Sequence, residues 1–254
     1  MTSFEVVPDE LIRMDSFLIN IRFPRCGGKT MSPIKILRLN SHGVFLLRQN
    51  KMEDAINSFK RAKMYLRQVP GTTGRNLPVS QEQVWSESMI SWIDLSDTRM
   101  RRDCTVSPHN MFDFYDCAFT FKDNFDLHVS DAILSAVVQY NLALAYNLLA
   151  LVTIEHSTRY MQEALRCYRQ GIKVIRYSPP FPGAEQIYLV TMAYLNNMGH
   201  IFSHFCHTEQ SLSCRGRLDV LLRSGTPNFL SEDDTEFFDV GIFQSHFRMA
   251  AAAA

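Results

Sequence analysis

The chain has 254 residues and a formal net charge of zero, with 26 basic and 26 acidic side chains. Its hydrophobic fraction of 46% is enough to build a folded core, which excludes a chain that is disordered throughout. The balanced charge provides no global basic field, so we expect no nucleic-acid partner.

The cysteines and the N-terminus indicate the compartment. The six cysteines are scattered and form no Cys-x-x-Cys pair, which is typical of free thiols in a reducing environment. The first residues show neither the basic start nor the apolar run of a secretory signal. We therefore expect a cytoplasmic or nuclear protein.

The first predicted elements are a strand and two helices. Residues 16–23 alternate apolar and polar side chains, as a half-buried strand does. Pro33 suits the first turn of a helix, and helical periodicity continues to about residue 67. Asn50 is a plausible turn residue, so we predict that this stretch forms two helices broken near it.

Residues 70–129 are predicted to be an insertion between helices. Its beginning is polar and turn-rich. The spacing of Trp85, Met89 and Trp92 predicts a short amphipathic helix that reaches Leu95. Residues 111–121 alternate in the manner of a strand.

The most apolar segment, Ile133 to Ile154, contains no charged residue and is long enough to span a bilayer. However, Gln139, Asn141 and Asn147 lie in its middle, and its flanks lack the positive charge that orients a membrane helix. We therefore predict a buried helix and no membrane span.

The C-terminal part is predicted to contain three further helices and a strand. The helices lie at about 158–177, 184–207 and 210–223, and prolines separate the first two. The aromatic run at 237–243 is strand-like. Because an isolated strand leaves its backbone groups unpaired, we predict that residues 16–23, 111–121 and 237–243 form a small sheet.

A small residue between bulky ones recurs three times. The three segments are Leu39-x-x-His42-Gly43-x-x-Leu46, Gln139-x-x-Leu142-Ala143-x-x-Tyr146 and Leu195-x-x-Met198-Gly199-x-x-Phe202. A small side chain lets a second helix approach closely. A candidate second helix follows the first segment, with Ala55-x-x-x-Phe59-x-x-Ala62.

These segments resemble the tetratricopeptide repeat (TPR), a helix–turn–helix unit, and are similar to uncharacterised TPR-like proteins of diatoms. Residues 36–69 match without gaps. The second unit needs an insertion before Ala164, and the third has Arg215 where the family has an aromatic residue. The resemblance implies a mainly α fold, an αα-superhelix of antiparallel helix pairs with a small β element. It places one domain over residues 1–254, with pairs at about 34–69, 130–177 and 184–224 and an insertion at about 70–129.

The same resemblance implies a non-catalytic protein–protein interaction module or scaffold, with a concave groove that binds a peptide or helix. Its groove residues would be Asn40, Val44, Arg48, Asn147, Asn196, His200 and His204. Val44 and the absence of a lysine set depart from the TPR proteins that hold C-terminal tails, so that partner class is not expected. No cofactor is expected, and the sequence does not give the oligomeric state.

The alternative is a metal-binding protein or enzyme centred on His200, His204 and His207, which share one face of a predicted helix. No second metal motif or glutamate base accompanies them. The segment Cys26-Gly27-Gly28-Lys29-Thr30 looks like the end of a phosphate loop, but Phe23 stands where the first glycine is required. We therefore expect no enzyme and no metal site.

Overall fold

The computed structural model describes residues 33–68, 90–95, 112–122, 131–176, 185–224 and 232–239, which all fall within one compact unit, Met31–Ala254. The elements are α1 (Pro33–Arg48), α2 (Met52–Leu66), β1 (Ile90–Asp94), β2 (Cys117–Phe121), α3 (Asp131–Val152), α4 (Ser157–Arg176), α5 (Glu185–His204) and α6 (Thr208–Arg223). A further helix, α7, spans 232–239. The prediction of a mainly α fold with a small β element is confirmed.

Six of the helices form three successive antiparallel pairs: α1 with α2, α3 with α4, and α5 with α6. A short turn joins the two helices of each pair. Asn50 and Cys206, in the first and third turns, adopt left-handed backbone conformations with φ of 61° and 57°. Asparagine tolerates this conformation better than most residues, which explains the turn predicted at Asn50.

The first pair crosses at Gly43. A Cβ atom placed on Gly43 would lie 2.5 Å from Cε1 of Phe59, whose side chain is fully buried. The predicted close approach of α2 to Gly43 is therefore confirmed. A related contact joins the second and third pairs, where Tyr194 of α5 occupies the space that a side chain on Gly171 of α4 would need.

The third small residue, Gly199, has a different neighbour from the one expected. A Cβ atom on Gly199 would collide with the ring of Phe112, which belongs to the segment before β2 and not to α6. Gly199 thus makes room for the insertion, although Ser211 of α6 also donates a hydrogen bond of 3.4 Å to its carbonyl.

The central helix is α3, which packs against α1, α2, α4, α5 and β2. It is long and apolar enough to cross a membrane, and 89% of its most apolar window is buried inside the protein. The prediction of a buried helix is confirmed, because neighbouring helices cover almost every face of α3.

The sheet consists of β1 and β2, which pair antiparallel from Ile90 opposite Phe121 to Asp94 opposite Cys117. The strand predicted at 111–121 is thus confirmed over β2. The amphipathic helix predicted to reach Leu95 is wrong for Ile90–Asp94. These residues satisfy their backbone groups by pairing with β2, and Ile90 is buried against the core.

The strand predicted at 237–243 is also wrong where it can be examined, because residues 237–239 belong to α7. Asp234 and Phe238, four residues apart, are the buried side chains of this helix, and both contact Tyr115. A spacing of four residues brings both side chains to one face of the helix.

Residues 16–23, 26–30 and 240–243 lie outside the described residues. Residues 237–239 therefore do not contribute a strand to the predicted three-stranded sheet. In the described part of the chain, β2 pairs with β1.

Candidate functional site

The predicted groove residues lie on α1, α3 and α5, the first helices of the three pairs. Asn40, Val44, Asn147 and Asn196 are buried, His200 is half-buried, and Arg48 and His204 are exposed. Another segment of the same chain covers part of this surface. Residues 112–121, which we call the clamped segment, run across α1, α3 and α5.

Asn141 of α3 holds Phe119 by both of its backbone groups. The Phe119 N–H donates to Oδ1 of Asn141 at 2.9 Å, and Nδ2 of Asn141 donates to the Phe119 carbonyl at 2.7 Å. Nδ2 of Asn40 donates to the same carbonyl at 3.0 Å, and its Oδ1 accepts from Asn141 at 2.9 Å. One residue of the clamped segment is therefore held from two helices.

Asn197 of α5 repeats this arrangement on Tyr115. The Tyr115 N–H donates to Oδ1 of Asn197 at 3.0 Å, and Nδ2 of Asn197 donates to the Tyr115 carbonyl at 2.8 Å. Its neighbour Asn196 donates from Nδ2 to the Asp113 carbonyl at 2.8 Å. We call Asn40, Asn141, Asn196 and Asn197 the asparagine clamp.

The chemistry of the clamp is that of a peptide group. A carboxamide carries both a donor and an acceptor, so it can pair with the N–H and the C=O of one residue, much as a neighbouring strand would. These bonds are made to the backbone and do not depend on the side chain held. The arrangement can therefore fix an extended chain of many sequences.

Aromatic side chains anchor the clamped segment in the core. Phe112, Tyr115 and Phe119 are buried. The ring of Phe119 lies 4.8 Å from that of Tyr140, and the Tyr115 hydroxyl donates to Oδ1 of Asp234 at 2.8 Å. The clamped segment is thus held both by hydrogen bonds to its backbone and by three buried aromatic side chains.

A group of buried tyrosines supports Asn197 from below. Nδ2 of Asn197 also lies within hydrogen-bond distance of the hydroxyls of Tyr140, at 3.2 Å, and Tyr168, at 3.1 Å. The Tyr194 hydroxyl donates to the Ala136 carbonyl at 2.6 Å. Burial raises the pKa of all three tyrosines, so their hydroxyls stay protonated. They orient the clamp as neutral hydrogen-bonding groups.

Asn40 and Asn196 belong to the residues predicted from the sequence, whereas Asn141 and Asn197 were not predicted. A signal for them existed, because both precede the small residue of their segment by two positions, Ala143 and Gly199 respectively. Asn147, which was predicted, is fully buried beside the Tyr168 hydroxyl, and its carboxamide finds no partner of good geometry among the described residues.

The three histidines do not converge. The ring of His200 lies 5.5 Å from that of Phe114 in a tilted arrangement, while His204 and His207 are exposed beside Phe205. Among the described residues, the one group with three ligand atoms within 4.8 Å of each other contains no histidine: Asp94, Asp116 and Cys117. Burial raises the pKa of Cys117 to about 12.

Comparison with known proteins gives no match to a protein-family model, a curated protein or a solved structure. The site is therefore interpreted from its own geometry.

Proposed function

We propose that this chain is a TPR-like, non-catalytic protein-interaction module whose groove holds an extended peptide by its backbone. In the structure, the clamped segment occupies that groove. The observation that carries the proposal is the pair of hydrogen bonds that Asn141 and Asn197 each make to a single residue. Such bonds supply affinity, while pockets for side chains supply selectivity.

The order of the helices supports the TPR-like part of the proposal. Three antiparallel pairs follow each other along the chain, and α1, α3 and α5, the first helix of each, all contact the clamped segment. A stack of helix pairs that lines one surface with its first helices forms a concave binding face.

The pockets define the ligand that we expect. Phe112 fits against Gly199, Tyr115 against α7, and Phe119 against Tyr140. Their spacing is three and then four residues. We propose that a partner peptide would be extended and would carry aromatic side chains at this spacing.

The test supplies the clamped segment as a separate peptide. The double variant Tyr115→Ala, Phe119→Ala removes two anchors from the segment within the chain and so frees the groove. A labelled synthetic peptide of residues 112–122 should bind this variant saturably, measured by fluorescence anisotropy, and should not bind the wild type. A peptide of the same composition in scrambled order is the control.

The asparagine clamp has its own control in the same experiment. Adding Asn141→Ala to the double variant should strongly weaken binding, because the N–H at the Phe119 position of the peptide loses its partner and the C=O keeps only Asn40. Adding Asn147→Ala should leave binding unchanged. A double variant that keeps its helical circular-dichroism signal but binds no peptide would refute a peptide-accepting groove.

A further inference from the structure

A second concave surface lies between α2, α3 and α4, away from the asparagine clamp. Four cationic side chains surround it, two from α2, one from the residue that caps the C-terminus of α2, and one from α4: Lys60, Lys63, Arg67 and Arg166. Leu142 and Tyr146 of α3 form its floor, and the cavity has a volume of about 270 Å³. We call it the basic pocket.

The periodicity of the α-helix brings three of the cations to one side of the pocket. Lys60, Lys63 and Arg67 are three and four residues apart, so they lie on one face of α2. Arg166 comes from α4, where its Nε donates to Glu163 at 3.0 Å. Four positive charges thus meet this one negative charge, an excess of three in a chain whose total charge is balanced.

Two of the cations, Lys60 and Lys63, contact neutral groups. Nζ of Lys63 donates to Oε1 of Gln170 at 2.6 Å, and the Lys60 ammonium lies 5.5 Å from the centre of the Tyr146 ring. Lys63 is half-buried, and burial lowers its pKa, the nearby Arg67 and Arg166 acting in the same direction. The attraction of an anion in the pocket would offset the free-energy cost of burying the charged Lys63 ammonium and the repulsion among the cations.

We propose that the basic pocket binds the phosphate group of a phosphorylated side chain on a partner protein. A phosphate monoester carries nearly two negative charges and three acceptor oxygens on one atom, which matches cations that converge on a small volume. Carboxylates of an acidic peptide are spread over several residues and match it less well. The site is separate from the groove, and its use does not depend on the groove accepting a peptide.

The test compares three short labelled peptides that differ at one position: phosphoserine, serine or aspartate. The wild-type protein should bind the phosphoserine peptide at least about tenfold more tightly than either of the others, as one additional charge-assisted contact would give. Binding should weaken as salt is raised, because the contact is between charges.

Matched variants locate the site. Lys60→Gln and Arg166→Gln should each weaken phosphoserine-peptide binding about tenfold. Both side chains are exposed, so these variants should keep the wild-type circular-dichroism spectrum. Arg61→Gln removes the same charge from an exposed position of α2 outside the pocket. This variant should leave the binding unchanged.

Three outcomes would overturn the proposal. They are equal binding of the phosphoserine and serine peptides, equal loss in Arg61→Gln and Lys60→Gln, and tighter binding of a single-stranded RNA oligonucleotide through Lys60 and Arg166. The last result would assign the pocket to a nucleic-acid backbone.

Discussion

Asn141 and Asn197 each satisfy two buried backbone groups that lie beyond the reach of the sheet. β2 has β1 along one edge and Asn141 along the other, while Tyr115 precedes the strand and depends on Asn197. An unpaired backbone group in the interior costs about 1–3 kcal/mol. A single asparagine therefore stabilises the clamped segment more than its own surface area suggests.

Replacing Asn197 by leucine should lower the free energy of unfolding by about 2–4 kcal/mol, since the Tyr115 N–H loses its partner and the Tyr115 C=O keeps only the 3.4 Å bond from the Tyr140 hydroxyl. The tyrosine hydroxyls that Asn197 contacts lose a donor as well. Urea denaturation followed by circular dichroism measures the change.

The matched control is Asn147→Leu. Asn147 is equally buried, but its carboxamide finds no good partner among the described residues, so its removal should change stability by less than about 1 kcal/mol or increase it. Equal losses in the two variants would show that the hydrogen bonds of Asn197 are not what stabilises the segment.

At the scale of elements, glycine determines how closely neighbouring helices approach. Gly43 admits Phe59 from the paired helix, and Gly171 admits Tyr194 from the next pair. Both aromatic side chains are fully buried, so neither can move aside at low cost. The spacing within and between the pairs thus depends on the absence of a methyl group.

Gly43→Ala and Gly171→Ala should each destabilise the protein by about 1–3 kcal/mol through overpacking. Gly216 of α6 is the matched control, because a Cβ atom there would meet nothing within 4 Å. Gly216→Ala should instead stabilise by about 0.5–1 kcal/mol, since alanine is the better helix former. Thermal melting of the three variants measures these changes. A melting temperature of Gly43→Ala equal to or above that of the wild type would contradict the close contact between Gly43 and Phe59.

At the scale of the whole molecule, the interior contains several cysteine thiols and tyrosine hydroxyls that stay protonated and therefore neutral. Burial raises the pKa of Cys117 and of Cys214 to about 12 from an ordinary value of 9.0, and it raises the pKa of Tyr115, Tyr140 and Tyr194 well above 10.0. Above pH 9 the unfolded chain loses protons that the folded chain retains. The unfolded state is therefore favoured as pH rises.

The contribution of these groups to the free energy of unfolding should accordingly be constant below pH 9. It should decline between pH 9 and pH 12. Each cysteine contributes a slope of about 1.4 kcal/mol per pH unit. Urea denaturation at a series of pH values measures the decline. Cys214→Ala should make it shallower, whereas replacement of the exposed Cys206 should not. A stability that is flat to pH 11 would contradict the buried, neutral state of these thiols.

The sequence by itself determined the helix pairs, because the signals for them are local. Periodicity of apolar residues, a proline at the start of α1 and a small residue at Gly43 all act within a few turns. The burial of α3 could also be predicted. Its apolar stretch carries no charged residue, and the polar residues in its middle argue against a membrane span.

Only the tertiary structure decided which segment packs across α1, α3 and α5 and which strand pairs with β2. Asn40 meets Phe119 across 79 positions of the chain, and Tyr115 meets Asp234 across 119. Short aromatic runs suit a strand or a buried helix equally well, so Ile90–Asp94 and residues 237–239 took the form that their distant partners allowed. The same holds for the clamp, since a carboxamide acquires its role from the backbone that a remote segment brings to it.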